Sequence, residues 1–263
     1  MSVQAILETR GLTKTFGGLT AVKQVDLAVA PGEIRAIIGP NGSGKTTTLN
    51  LVSGVYAPDS GEIILNGRRI EGKDPATINA YGMARTFQNI RIFKKMTVLD
   101  NVMVGRHHLF QAGAFRVIFK TARMIEEEKS AREEALALLD FVGLAHRKND
   151  IAQSLPYAQQ KLLEIARALA SKPIVLLLDE PAAGMNNQEI IELDQVIRRI
   201  RDSGVTVILI EHVMDLVRGL VDRVTVLNYG EKIAEGSFEE IERNPDVIRA
   251  YLGKGASYGV KDK

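Results

Sequence analysis

The chain has 263 residues, 45% hydrophobic and 25% charged, an ordinary balance for a soluble globular protein with one sizeable core. It has no cysteine, which excludes disulfide scaffolds, thiolate metal sites and cysteine nucleophiles, and its four histidines are too scattered to suggest a metal centre. The 34 basic and 32 acidic side chains leave a net charge of +2, so nothing drives the chain as a whole toward nucleic acid or acidic lipid.

The start, MSVQAILETR, lacks a secretory pattern. The longest apolar runs, IVLLL from 174 and VTVILI from 205, fall well short of the roughly 20 residues of a membrane helix. A cytoplasmic chain is expected, peripheral if it works at a membrane. ILETRGLTKTF, AVKQVDLAVA and EIRAIIG read as strands separated by the turn signals Gly17–Gly18 and Pro31–Gly32. VDLAVA alternates as a half-buried antiparallel strand does, whereas the apolar RAIIG reads as a central strand. TTTLNLVSG has helical spacing and ends at Gly54, and GEIILNGRRI reads as a strand pair around an Asn66–Gly67 turn.

Between about 97 and 170 the pattern favours helices. Leu136, Leu139 and Phe141 keep the helical repeat, while Glu126 to Lys129 and Arg132 to Glu134 make a solvated face. PIVLLLD, a helix from Asn187 to Ser203, VTVILIE, a further helix, RVTVLNYG and EKIAEG then restore strand–helix alternation. That alternation predicts a mostly parallel sheet covered on both faces. The expectation is one α/β domain over 1–253, with an antiparallel N-terminal layer, a helical insertion at about 89–170 and a flexible tail over 254–263. The adjacent His107 and His108 point apart on a helix and read as exposed polar surface.

GPNGSGKT, Gly39 to Thr46, fits the phosphate-loop pattern, which average composition produces in roughly one chain in a hundred of this length. Its position after a strand and at the start of a helix is what the chemistry requires. Gly39, Gly42 and Gly44 let backbone N–H groups converge on phosphate oxygens, with Pro40, Asn41 and Ser43 between them. The helix N-terminus, continuing into Thr47, adds partial positive charge. Lys45 would reach the β- and γ-phosphates and the Thr46 hydroxyl would ligate Mg²⁺. The apolar run Ile174 to Leu178 carries Asp179 to a sheet edge, where it can support Mg²⁺, and Glu180 follows as a candidate base for an attacking water.

From Ile6 to Leu252 the chain resembles the ATP-binding subunits of ABC transporters. Phe16 in KTFGGLTAV matches the aromatic residue that stacks on adenine. Gln88 in RTFQNIRIF matches the glutamine that senses the metal, LPYAQQKLLEIARAL the signature helix, DEPAAGMN the acidic pair with the following D-loop, and His212 in LIEHVMDLV the switch histidine. The strings GLTKTFGGLTAV, DEPAAGMN, LNYGEKIAEG and NPDVIRAYLG are most similar to ATPases of branched-chain amino-acid importers. The resemblance implies a P-loop NTPase fold and ATP with Mg²⁺, the metal held through Thr46, Gln88 and Asp179. It implies catalysis by Glu180 with His212, Gln88 and Lys45. It also implies a homo- or heterodimer with a second ATPase, set beneath integral-membrane permeases on the cytoplasmic face and fed by an extracytoplasmic solute-binding protein. Nucleic acid is not an expected partner.

In that family, ATP lies between two cassettes, and the signature of one completes the site of the other. Here Pro156, Tyr157, Ala158 and Gln159 stand where the family has serine, two glycines and glutamine. Pro156 suits a first helical turn but has no hydroxyl to aim at the γ-phosphate. Asn186 replaces the D-loop aspartate. Arg91, Phe93 and Met96 are candidates for the groove that receives a permease helix. Other readings are an importer of urea or amides, a soluble ABC ATPase of translation or DNA repair, and a P-loop phosphotransferase.

Overall fold

The structure is a computed structural model that describes residues 4–106 and 122–252. His107, His108 and the expected tail lie outside the described residues. Strands β1 (Leu7–Phe16) and β2 (Leu19–Val29) form an antiparallel hairpin, and β3 (Ile34–Ile38) leads through the glycine loop into α1 (Lys45–Val52). Next come β4 (Ser60–Leu65) and β5 (Arg68–Arg69). Their connection places both Asn66 and Gly67 at positive φ, 46° and 75°, as a two-residue hairpin of this hand requires. The chain continues through α2 (Pro75–Ala80), β6 (Met83–Arg85), α3 (Val98–Val104), α4 (Ala122–Phe141) and α5 (Tyr157–Leu169). Then follow β7 (Val175–Asp179), α6 (Asn187–Asp202), β8 (Thr206–Ile210) and α7 (Met214–Leu220). It closes with β9 (Arg223–Asn228), β10 (Glu231–Gly236), α8 (Phe238–Glu242) and α9 (Pro245–Leu252).

The strands make two sheets. One is antiparallel, in the order β2-β1-β4-β5, and the other runs β10-β9-β3-β8-β7-β6 with every pair parallel except β10–β9. Every residue of β3, β7 and β8 is buried, because both faces of this sheet are covered. Alternation divides them between two cores. Ile34, Ala36 and Ile38 join Leu176 and Leu178 against α3, α5 and α6, while Ile37, Val175 and Leu177 face Leu49 and Val52 of α1 and the antiparallel sheet. The glycine loop therefore leaves the middle of a doubly covered sheet, which holds it rigidly.

Helices α3, α4 and α5 pack on one another, and their buried faces are continuous with the first core. The solvated face expected for α4 is exposed from Glu126 to Lys129, and Leu139 is buried opposite it. Pro156 precedes α5 as its N-cap, with φ −52° and ψ 153°, one residue earlier than the first-turn position expected. Either place suits a residue without an N–H, since that donor has no helical partner there. Asn186 opens α6 with a reciprocal cap: its side chain accepts from the Glu189 amide at 3.1 Å, and Glu189 accepts from the Asn186 amide at 2.8 Å.

Candidate functional site

Two of the three loop glycines are demanded by neighbours as well as by turn geometry, whereas Gly42, at φ 78°, has open space at its Cβ position. At Gly39, with φ 149°, a Cβ would lie 2.0 Å from the Leu227 carbonyl oxygen; at Gly44, with φ 99°, it would lie 2.3 Å from that of Ala21. One backbone bond holds the loop to the β9–β10 turn, and a second ties that turn to β2. The Gly230 amide donates to the Ser43 carbonyl at 3.0 Å, and the Lys23 amide donates to the Gly230 carbonyl at 2.8 Å. Helix α1 begins at Gly44 with no side-chain cap and no acidic residue in its first turn, so its amides and dipole face outward.

Lys45 is buried, and its ammonium donates to the carbonyls of Gly39 at 2.8 Å and Pro40 at 2.9 Å. Burial pushes its pKa down, against the attraction of Glu180 and Asp179. Ser43 Oγ is buried without a hydrogen-bond partner. These residues bound a cavity of about 470 Å³, lined by Asn41 to Thr47, Leu19 to Ala21, Tyr229, Glu180 and His212. The lining offers hydrogen-bond donors and includes the basic Lys45 and the acidic Glu180.

Asp179 ends β7, buried. Its Oδ2 accepts from Arg85 Nη2 at 2.8 Å, and its Oδ1 is buried without a partner. Glu180 follows at φ 48°, a left-handed conformation that costs a non-glycine residue about 1–3 kcal/mol and is held only by over-determined surroundings. Two side chains converge on its carboxylate. His212 Nε2 lies 2.7 Å from Oε1, and Gln88 Nε2 donates to Oε2 at 2.9 Å. The three residues come from the ends of β7 and β8 and from the irregular stretch after β6.

Two residues in this neighbourhood escaped the sequence reading. Arg85 also donates from Nη1 to Asn50 Oδ1 at 2.7 Å and Ser53 Oγ at 2.8 Å, tying Asp179 to the end of α1. Glu211, 1% exposed, accepts from the amides of Ala182 at 2.6 Å, His212 at 2.9 Å and Val213 at 3.3 Å. Burial raises its pKa, and those three amides oppose the rise. Glu211 thus joins the DEPAAGMN segment to the His212 segment. Its signal in the sequence was only a charged residue at the end of an apolar strand.

The remaining candidates lie apart from the cavity lining. Phe16 packs edge-on against Tyr56, with centroids 5.3 Å apart, and the Lys14 ammonium sits 5.5 Å from its ring. At the start of α5, Tyr157 is half-exposed and packs on Gly184, where a Cβ would lie 3.3 Å from the ring. Ala158 is buried, and Gln159 Oε1 accepts from Arg147 Nη1 at 3.3 Å. Arg91 stacks on Phe87 at 4.0 Å, and Phe93 is exposed with the Arg167 guanidinium 5.5 Å from its ring.

Residues 22–183 match the family model described as ABC transporter, and residues 231–257 match that of the branched-chain amino acid ATP-binding cassette transporter. Over 252 residues the chain is 44% identical to the high-affinity branched-chain amino acid transport ATP-binding protein LivG of Escherichia coli (strain K12), an overlap of 95% of this chain and 99% of that protein. A nucleotide-free ATP-binding cassette from an ABC transporter superposes with a TM-score of 0.84 at 32% identity, over 95% of this chain and 100% of the other. The ADP conformation of the cassette MJ1267 superposes with 0.83 at 33% identity, with the same coverage. Phosphate loop, acidic strand end and sheet order agree with these matches, and the chain belongs to the ABC transporter family as one of its ATP-binding, ATP-hydrolysing cassettes.

Proposed function

We propose that this cassette powers the import of branched-chain amino acids, with ATP bound against Gly39 to Thr47 and cleaved by water that Glu180 activates. The observation that carries the chemistry is the convergence of Gln88 and His212 on Glu180 at the edge of the phosphate cavity. The match of residues 231–257 to the branched-chain type supports the solute class.

The bonds from Lys45 to the Gly39 and Pro40 carbonyls keep an ammonium at the loop, and phosphate oxygens take their place when nucleotide enters. Amides of the loop and the open first turn of α1 receive the same phosphates. Glu180 draws the proton from the attacking water, Gln88 and His212 orient its carboxylate, and His212 donates toward the γ-phosphate. Residues fitting Mg²⁺ are present: Asp179 Oδ1 is a buried carboxylate oxygen without a partner, Thr46 lines the cavity, and Gln88, whose side-chain Nε2 donates to Glu180, carries the side-chain oxygen Oε1 as a further acceptor. Thr46, Gln88 and Asp179 would hold the ion, which would supply positive charge to offset that developing on the phosphates.

Phe16 stacks on adenine in this reading, and its ring is exposed to receive a base. Pro156 to Gln159 complete the site of a second cassette, either another copy or a sister chain. The site so completed is weaker or slower than one with an unmodified signature, because Pro156 has no hydroxyl. Equal turnover at both sites of a reconstituted pair would reject that asymmetry. The helices between 89 and 170, with Arg91, Phe93 and Met96, face permease subunits at the cytoplasmic surface. An extracytoplasmic binding protein delivers the solute. Among the described residues no helix is long and apolar enough to cross a membrane, which is consistent with a peripheral subunit.

The test is Glu180→Gln in the complex purified with its membrane subunits. ATP binding is retained and hydrolysis falls by roughly 10²–10⁴-fold, the usual range for lost acid–base help. Hydrolysis at the parental rate would refute the assignment. Solute-stimulated hydrolysis in vesicles then compares leucine, isoleucine and valine with urea and short amides, and stimulation by urea or amides alone would replace the solute class.

A further inference from the structure

Helix α5 presents an apolar face to the core, yet two charged residues one turn apart point inward with it. Lys161 is 3% exposed and Glu164 is 1% exposed. Such burial is costly unless each charge finds partners. Apart from Arg167 on the same helix, 3.9 Å from Glu164, the partners belong to a single stretch. Lys161 Nζ donates to the Gln88 carbonyl at 2.7 Å and the Phe87 carbonyl at 3.3 Å, and Glu164 Oε1 accepts from the Arg91 amide at 3.1 Å. Residues 86–93 have no regular secondary structure, so these bonds take the place of a ladder or a helical turn.

We infer that the buried Lys161–Glu164 pair of α5 is a positioning device for the Gln88 loop and, through Gln88, for the carboxylate of Glu180. The inference rests on the proposed roles of Gln88 and Glu180 and adds the residues that set them. Every direct partner of the pair in the loop is a backbone atom. The pair therefore fixes where the chain runs and leaves the Gln88 side chain free to reach Glu180 at 2.9 Å. Glu164 Oε2 is buried with no partner, and Arg167 stands 3.9 Å from Oε1, outside hydrogen-bond reach. Two apolar residues of similar volume would often be no less stable here, so stability alone does not account for the charges. What the pair supplies is direction: two donated bonds and one accepted bond grip the loop on both sides of Gln88. Asp179, Glu180 and Glu211 also lie close enough to attract the Lys161 ammonium. The same helix begins at Pro156, where Tyr157 packs on Gly184. A shift of the first half of α5 therefore reaches the Gln88 loop through Lys161 and Glu164 and the DEPAAGMN loop through Tyr157.

The experiment is a double-mutant cycle on the full chain assembled with its membrane subunits. Lys161→Met keeps the length of the side chain and removes both donated bonds. It lowers kcat for ATP by about tenfold, within the coupling range of residues in one network, and leaves the KM for ATP within about twofold. In a Gln88→Ala background the same substitution changes kcat by less than about twofold, and Lys161→Arg keeps most of the activity. Where Lys161→Met fails to fold, Glu164→Gln replaces it in the cycle. Equal losses in both backgrounds, a loss confined to KM, or undiminished turnover would overturn the inference. The Glu180→Gln control separates this from failure of the functional reading, because it alone reports whether Glu180 is the base.

Discussion

Removing Arg85 isolates one buried electrostatic unit and gives a magnitude that can be checked. Its guanidinium and the Asp179 carboxylate have side-chain exposures of 6% and 3% and meet at 2.8 Å. Arg85→Met keeps an apolar side chain of similar length but deletes the charge, together with the guanidinium that lies 5.1 Å from the Phe87 ring. Asp179 would then be buried with neither oxygen paired, since Oδ1 already lacks a partner. Breaking one side of a buried ion pair costs about 3–5 kcal/mol. The lost bonds to Asn50 and Ser53 act in the same direction. For a domain of this size the melting temperature should drop by roughly 6–20 °C, taking ~2–4 °C per kcal/mol. Urea unfolding followed by circular dichroism measures the free energy, and calorimetry measures the temperature. Adding Asp179→Asn should restore part of the loss, because a neutral amide no longer needs the counter-charge. A loss below about 1 kcal/mol, or strict additivity of the two substitutions, would show that Arg85 does not compensate Asp179.

Glu134, at the meeting of α4 with Arg106 and Lys172, gives a pH signature. Hydrogen bonds to Arg106 and then to Lys172 lower its pKa from 4.5 to about 2. A depressed carboxylate pKa means stability that is complete above about pH 4.5 and lost as pH falls toward about 2. The side chain is 38% exposed, so solvent screening limits the effect to about 1 kcal/mol. Glu134→Gln should be less stable than the parent by that amount at pH 7 and indistinguishable near pH 2, and a pH-independent difference would count against the ion pairs. Gly44→Ala drives a Cβ against the Ala21 carbonyl and places a side chain at φ 99°. Strain alone should cost about 1–3 kcal/mol by denaturant titration and weaken nucleotide binding, and a variant that binds and unfolds as the parent does would contradict the close approach.

Local chemistry sufficed for much of the protein. The continuous apolar runs of β3, β7 and β8 announced strands covered on both faces, and that is where they lie. Asn66–Gly67 specified its hairpin, and the loop from Gly39 to Thr46 specified a strand before it and a helix after it. The short elements α2, β6, α8 and α9 were not named, because three to eight residues carry too little periodicity to separate helix, strand and loop.

Spacing along the chain named the residues around Glu180, and the tertiary structure decided what each one touches. Gln88 and Glu180 stand 92 positions apart, and Arg85 and Asp179 stand 94 apart. Sheet order brings them together by placing β6 beside β7 and β7 beside β8. Lys161 and Glu164, with partners 73 or 74 positions away, and Glu211, which reaches Ala182 across 29, look in the sequence like ordinary charges on a helix or at a strand end. A hydrophobic pattern records how often a residue faces the core, because burial recurs with the period of the element. It carries no record of which distant carbonyl or amide meets a buried charge, since that partner is fixed only when separate elements pack.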